Sequence, residues 1–308
     1  MAVWWRYAVT LAAPAVARAG SAVPTAAGPR ARGLLGGALR AAAPYGAGVE
    51  GCEIVPGDRP GTFVLRLAGM NQSHVDLRHP LHLEFEYVRR IADVIDAAAP
   101  GGAPLRVLHV GGAAMTLPRY VAATRPRSAQ VVLEPAVEVT ELVRAELPLP
   151  PRSGIKVRPV DGRRGIAELR DGYAELVVLD AFADARVPAD LVTVELFRDV
   201  ARVLDPGGLF VLNLTDRAPF GWTRRVVAGL RTVFISVMLT AEPATLRARR
   251  LGNLVVVASG GPVPVSVLRQ RSVSAAAPYR VLDPAQVSDG FGGGTPFSLA
   301  DAEPSPAP

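Results

Sequence analysis

From Leu105 onward, short apolar runs alternate with stretches of helical period, and this rhythm restricts the fold more than any other feature of the chain. Leu105–Val110, Ala129–Glu134, Ile155–Val160, Leu176–Asp180 and Leu209–Leu214 have the length and β-branched content of strands buried on both faces. Helical segments near Leu117–Thr124, Val137–Glu146, Arg163–Leu169 and Leu191–Leu204 separate them. Strands of this kind, joined by helices, bury both faces only as a parallel sheet covered on each side. The expected fold class is therefore α/β, a doubly wound sheet. A further helix near Gly221–Arg231 leads to Ile235–Leu239, and a turn-rich loop separates that run from Asn253–Ala258. With no convincing helix between them, these two complete seven strands as an antiparallel edge pair.

The remaining chain divides by composition. Residues 1–49 are rich in Ala, Gly, Pro and Arg without a helical or strand period, so they read as a disordered or mis-started leader. Residues 50–79 carry short runs at Cys52–Val55, Phe63–Ala68 and Gln72–Leu77, split by Pro56-Gly57-Asp58 and Gly69-Met70-Asn71, the pattern of a small β hairpin element. Pro80 is expected to open a helix reaching about Ala98, with Leu81, Phe85, Val88, Ala92 and Ile95 on one face. Residues 80–260 then form the α/β domain. Residues 261–308 form a Pro/Gly-rich extension, with Pro304–Pro308 expected to fray.

Charge narrows the choice of partner. The net charge is +6, but Arg6, Arg18, Arg30, Arg32 and Arg40 all precede the first acid, Glu50, so the body is nearly neutral. Without a basic stripe to track phosphates, no nucleic-acid partner is expected. Lys156 is the only lysine among 34 cationic residues, a skew that reads as coding bias. No run reaches the about 18 apolar residues of a membrane span, so no membrane association is expected. The single cysteine, Cys52, excludes a disulfide framework and suits a cytoplasmic protein. His74, His79 and His82 lie close in sequence, but no second cluster supports them and His82 points elsewhere on a helix begun at Pro80, so no metal is expected. His109, inside an apolar strand, reads as a core histidine.

In an open α/β sheet, ligands sit beyond the carboxyl ends of the strands. Those ends carry Gly111-Gly112, then Glu134, then Asp161-Gly162, then Asp180. Small residues let a ligand approach backbone N–H groups, and an acid about 20 residues past the glycines can accept ribose hydroxyls. Each is a weak signal by itself; glycines at the first end with acids at the next three make a stronger one.

With Pro206-Gly207-Gly208 added, this set resembles the S-adenosylmethionine-type nucleoside-binding fold, a Rossmann-like seven-stranded sheet of the class I methyltransferase kind. More narrowly, Gly69-Met70-Asn71-Gln72-Ser73, Phe85-Glu86-Tyr87 and Val110-Gly111-Gly112 resemble spermidine synthases, the polyamine aminopropyltransferases, over about residues 60–260. The resemblance implies a transferase moving an aminopropyl group from decarboxylated S-adenosylmethionine to a small amine, with no prosthetic group, working as a homodimer. It implies Glu134 on the ribose, Asp161 on the adenine amino group, Gly111, Gly112 and Gly162 around the nucleoside, Gln72 and Tyr87 at the substrate, and Asp180 as the catalytic acid/base. The chain departs from the family at Ala113 and Ala183, where acids are expected, and at Val88, where a histidine is. Asp184, Asp76, Glu84 and Glu86 are candidates to compensate. Two other readings stay open: an S-adenosylmethionine-dependent methyltransferase, and a catalytically silent nucleoside-binding paralogue.

Overall fold

The structure, a computed structural model, describes residues 51–308; the leader lies outside the described residues. β1 (Cys52–Pro56), β2 (Thr62–Leu67) and β3 (Met70–Asp76) form an antiparallel three-stranded sheet. Ala68 and Gly69, both at positive φ, make the tight turn between β2 and β3. α1 (Glu86–Ala97) begins six residues after Pro80, later than the periodicity predicts. Burial explains the delay: Leu83 enters the core and Phe85 packs beside it in extended conformation, while the Asp76 carboxylate accepts the N–H groups of Arg78 and His79. Tertiary contacts thereby hold residues 77–85 out of the helix.

The main sheet follows as β4 (Arg106–Val110), α2 (Thr116–Thr124), β5 (Ala129–Leu133), α3 (Val137–Glu146), β6 (Ile155–Arg158), α4 (Gly162–Ala167), β7 (Ala174–Leu179), α5 (Val194–Val203), β8 (Leu204–Asp216), α6 (Gly221–Arg231), β9 (Ser236–Ala241), α7 (Pro243–Leu246), β10 (Gly252–Ser259), α8 (Val265–Ser274), β11 (Arg280–Leu282) and α9 (Pro284–Phe291). Its order is β11-β9-β10-β8-β7-β4-β5-β6. The five strands from β4 to β8 are parallel, as their double burial requires. β10 does not lie at an edge but inserts between β8 and β9, antiparallel to both, and β11 adds an eighth strand outside β9.

Alternate residues of each strand serve opposite cores. Val177, Phe210 and Val256 face α5 and α6, whereas Val178, Val211 and Val257 face α1 and α8. Each fully buried side chain of this size contributes about 1.5–3 kcal/mol, so two continuous cores outweigh any local preference in placing the strands. Buried arginines supply what the apolar faces cannot. Arg125 donates to the carbonyls of Ile95, Asp96, Ala99, Pro100 and Ala103, closing the otherwise uncapped end of α1. No described helix is long and apolar enough to cross a membrane.

The segment after Gly260 departs most from expectation. It is ordered into α8, β11 and α9, with a capping box made by Asp283 and Gln286. The chain end docks instead of fraying: Ser305 exchanges bonds with the Val187 backbone, Trp222 Nε1 donates to Glu303 O at 2.9 Å, and Phe297 is buried beneath the Arg225 guanidinium. Single anchors (one serine, one phenylalanine) spaced along a polar segment leave no periodic trace.

Candidate functional site

The carboxyl ends of β4, β5 and β7 open into a cavity of about 380 Å³, within the range of small-molecule sites. β3 forms part of its roof. The Ser73 hydroxyl accepts from Ala114 N at 3.4 Å and the Thr116 hydroxyl donates to His74 O at 3.0 Å, which ties that strand to the loop after β4. Gln72 and Ser73 of β3 line the cavity with Phe85 and Tyr87, whose rings stack at 6.0 Å and 18°.

Gly111 has φ +90°, and a Cβ there would sit 2.4 Å from the Asp180 carbonyl oxygen. Only glycine lets these two strand ends approach so closely. Gly112 is crowded by Met115 and Val132. Ala113 and Met115 follow at φ 41° and 62°, and Met115 is held there by burial and by its N–H bond to Gly112 O at 2.7 Å. The N–H groups of Gly112 and Ala113 are not open to a ligand as expected. Both donate to Glu134 Oε2, at 2.9 and 3.2 Å, while Ala136 N donates to Oε1 at 3.0 Å. A carboxylate offers about four lone-pair positions, so Glu134, which lines the cavity, keeps one, on Oε1.

Asp161 and Gly162 also line the cavity. Asp161 Oδ1 is engaged in capping α4 through Arg164 N at 2.8 Å, leaving Oδ2 for other work. Gly162 is buried where a Cβ would meet Val110 Cγ1 at 2.4 Å. His109, at the cavity floor, bonds Gln130 through Nε2 at 3.0 Å, and burial pushes its pKa down to about 4, which keeps it a neutral core histidine.

Asp180 is sunk in the cavity wall at the end of β7. Burial pushes its pKa up to about 6, against the opposing bond from Asn213 Nδ2 to its Oδ1 at 2.9 Å. Asn253 Nδ2 donates in turn to Asn213 Oδ1 at 3.0 Å, which determines which way the Asn213 amide faces. Burial first, then the Asp180 charge, raises the Tyr87 phenol well above its usual value. A desolvated carboxyl poised near neutrality beside a neutral phenol can accept or hold a proton.

None of the four candidate compensating acids lines the cavity. Ala183 and Arg186 bond each other's backbones, which turns Asp184 outward at an exposed tip with φ 50°. Asp76 is spent on backbone N–H groups, Glu84 lies beside His82, and Glu86 meets Glu242. The acid that sequence reasoning missed is Asp190, which lines the cavity from the short turn Ala189–Leu191. It lies on no strand end and follows no motif. Asn213 was missed for a plainer reason: inside an apolar strand it carried no spacing signal.

No family model matches the chain, and no curated protein is similar to it. Solved structures are. A probable spermidine synthase from Corynebacterium glutamicum superposes with a TM-score of 0.75 at 29% identity, over 80% of this chain and 92% of that one. The chain is a spermidine-synthase-like protein of the methyltransferase fold. Spermidine synthase from Thermotoga maritima shares the fold at a TM-score of 0.51 and 16% identity, over 81% of this chain and 78% of its own. A spermidine synthase bound to the transition-state analogue AdoDATO does so at 0.53 and 16%, with the same coverage. Against this spermidine-synthase-like background the chain is a transferase, and its cavity keeps a strand-end carboxylate with one acceptor position left.

Proposed function

We propose that this protein transfers an aminopropyl group from decarboxylated S-adenosylmethionine to a small amine. The observation that carries the reading is Asp180, its pKa raised to about 6 by desolvation, in the wall of a cavity that Glu134 and Asp161 also line. Glu134 takes one ribose hydroxyl through its remaining Oε1 position, and Asp161 meets the base edge through Oδ2. Gly111, Gly112 and Gly162 let the strand ends and the start of α4 pack closely around that half of the cavity, while Gln72, Tyr87 and Phe85 cover the acceptor. The attacking nitrogen must reach the methylene carbon as a free amine. One N–C bond forms, the C–S bond breaks with its electrons going to sulfur, and one ammonium proton is released. Asp180, ionised above pH 6, accepts that proton; Asn213 aims its Oδ1 so that Oδ2 faces the amine. The sulfonium is already an excellent leaving group, so alignment supplies much of the acceleration.

A methyltransferase is the second reading, favoured by the missing second acid at Ala183 and the outward Asp184. Calorimetric competition between the two donors, paired with a methylthioadenosine release assay over a panel of mono- and polyamines, separates them. Preference for the decarboxylated donor with amine-dependent release is the expected outcome. Preference for the carboxylated donor, with no release for any amine, would overturn it.

A further inference from the structure

We propose that His74, His82 and Glu84 form a binding site for a zinc-type divalent cation, behind the cavity roof and separate from the nucleoside site. One donor atom from each lies within 4.8 Å of the others. The late start of α1 creates this grouping: residues 77–85 stay outside the helix and turn at Pro80 and Leu81, with His82 N donating to His79 O at 2.8 Å, which brings His82 back against His74 of β3. The two imidazoles meet edge to face, with centroids 6.0 Å apart and planes at 74°, and His82 Nε2 lies 3.7 Å from Glu84 Oε2.

Three further observations point to a cation. His74 is 8% exposed, and its Nδ1 is buried with no hydrogen-bond partner among the described residues. A buried imidazole nitrogen left unpaired is costly, and a metal bond would relieve it. Second, the buried Asp76 carboxylate stands 3.8 Å from His82 Nδ1, on the ring edge opposite Glu84. A carboxylate behind the second nitrogen is what orients a metal-bound histidine. Third, the site already holds a positive group: Arg59 Nη2 lies 2.5 and 2.8 Å from the two nitrogens of His82 and 3.7 Å from Asp76. That side chain is 54% exposed and can withdraw to solvent.

Two imidazoles and a carboxylate are a donor set that suits zinc, leaving one position for water. Tetrahedral geometry needs donors about 3.3 Å apart, so small side-chain rotations complete it. An ion here would join β3 to the stretch leading directly into Phe85 and Tyr87 and so stiffen the cavity roof.

The test is calorimetric titration of the full-length, chelator-stripped protein with zinc chloride, with cobalt(II) absorption reporting coordination. One equivalent should bind, with ligand-field bands of four-coordinate cobalt. His74→Ala and Glu84→Gln should each weaken binding about tenfold or more, and Arg59→Gln should tighten it by removing the competing cation. Glu84→Gln, at a half-exposed position, keeps the test sound if His74→Ala fails to fold. Absence of saturable binding, or binding unchanged in both ligand variants, would overturn the proposal.

Discussion

Replacing Asp180 with asparagine should stabilise the ligand-free protein, and by an amount that depends on pH. The carboxyl ionises near 3.8 when unfolded and near 6 in the cavity wall, where burial disfavours its charge. That difference of roughly two units is worth about 3 kcal/mol. Well below pH 3.8 the group is protonated in both states and costs nothing. As pH rises from 3.8 to 6 the unfolded chain ionises while the native state keeps the proton, so stability falls, and above 6 the loss is complete and constant. Asparagine retains an oxygen for the Asn213 donor and cannot ionise. Its advantage over wild type should therefore be about 0.5 kcal/mol at pH 4 and about 3 kcal/mol at pH 8. For a domain of this size, the latter corresponds to a Tm higher by roughly 6–12 °C. Urea unfolding of both proteins at the two pH values measures it. An advantage equal at both pH values would refute the reasoning, because it would mean that Asp180 carries no unusual ionisation.

Asn213→Ala removes the one bond that favours the Asp180 carboxylate, so the acid limb of the pH–rate profile should move upward from about pH 6 while donor affinity changes little. Glu134→Ala should weaken adenosyl ligands by about 1.5–3 kcal/mol, the scale of a charge-assisted hydrogen bond. It should also lower Tm, since three backbone N–H groups lose their acceptor; calorimetry and thermal melts separate the two effects. Gly111→Ala should abolish ligand binding in a protein that melts earlier, because a Cβ would lie 2.4 Å from Asp180 O. Wild-type affinity in that variant would place the nucleoside elsewhere.

The periodicities of the sequence determined the parallel sheet and its strand ends. A strand buried on both faces has to be apolar throughout, and Leu105–Val110 or Leu176–Asp180 show that without any partner in view. Gly111, Gly112, Glu134, Asp161, Gly162 and Asp180 were legible because the fold places every strand's carboxyl end on one side of the sheet, and they do meet in one cavity with Gln72 and Tyr87. Tertiary structure alone decided what depends on contacts distant in sequence. The start of α1 moved because burying Leu83 and Phe85 outweighed helical period. β10 lies between β8 and β9 because its two apolar faces needed both cores, a choice that hydrophobicity alone cannot make. Asp190 and Asn213 entered the site on backbone paths that have no motif. Asp184 left it because the Ala183–Arg186 turn points outward. The protonation of Asp180 belongs to the fold as well, since one and the same side chain ionises near 4 in water and near 6 once the sheet buries it, even against the Asn213 bond.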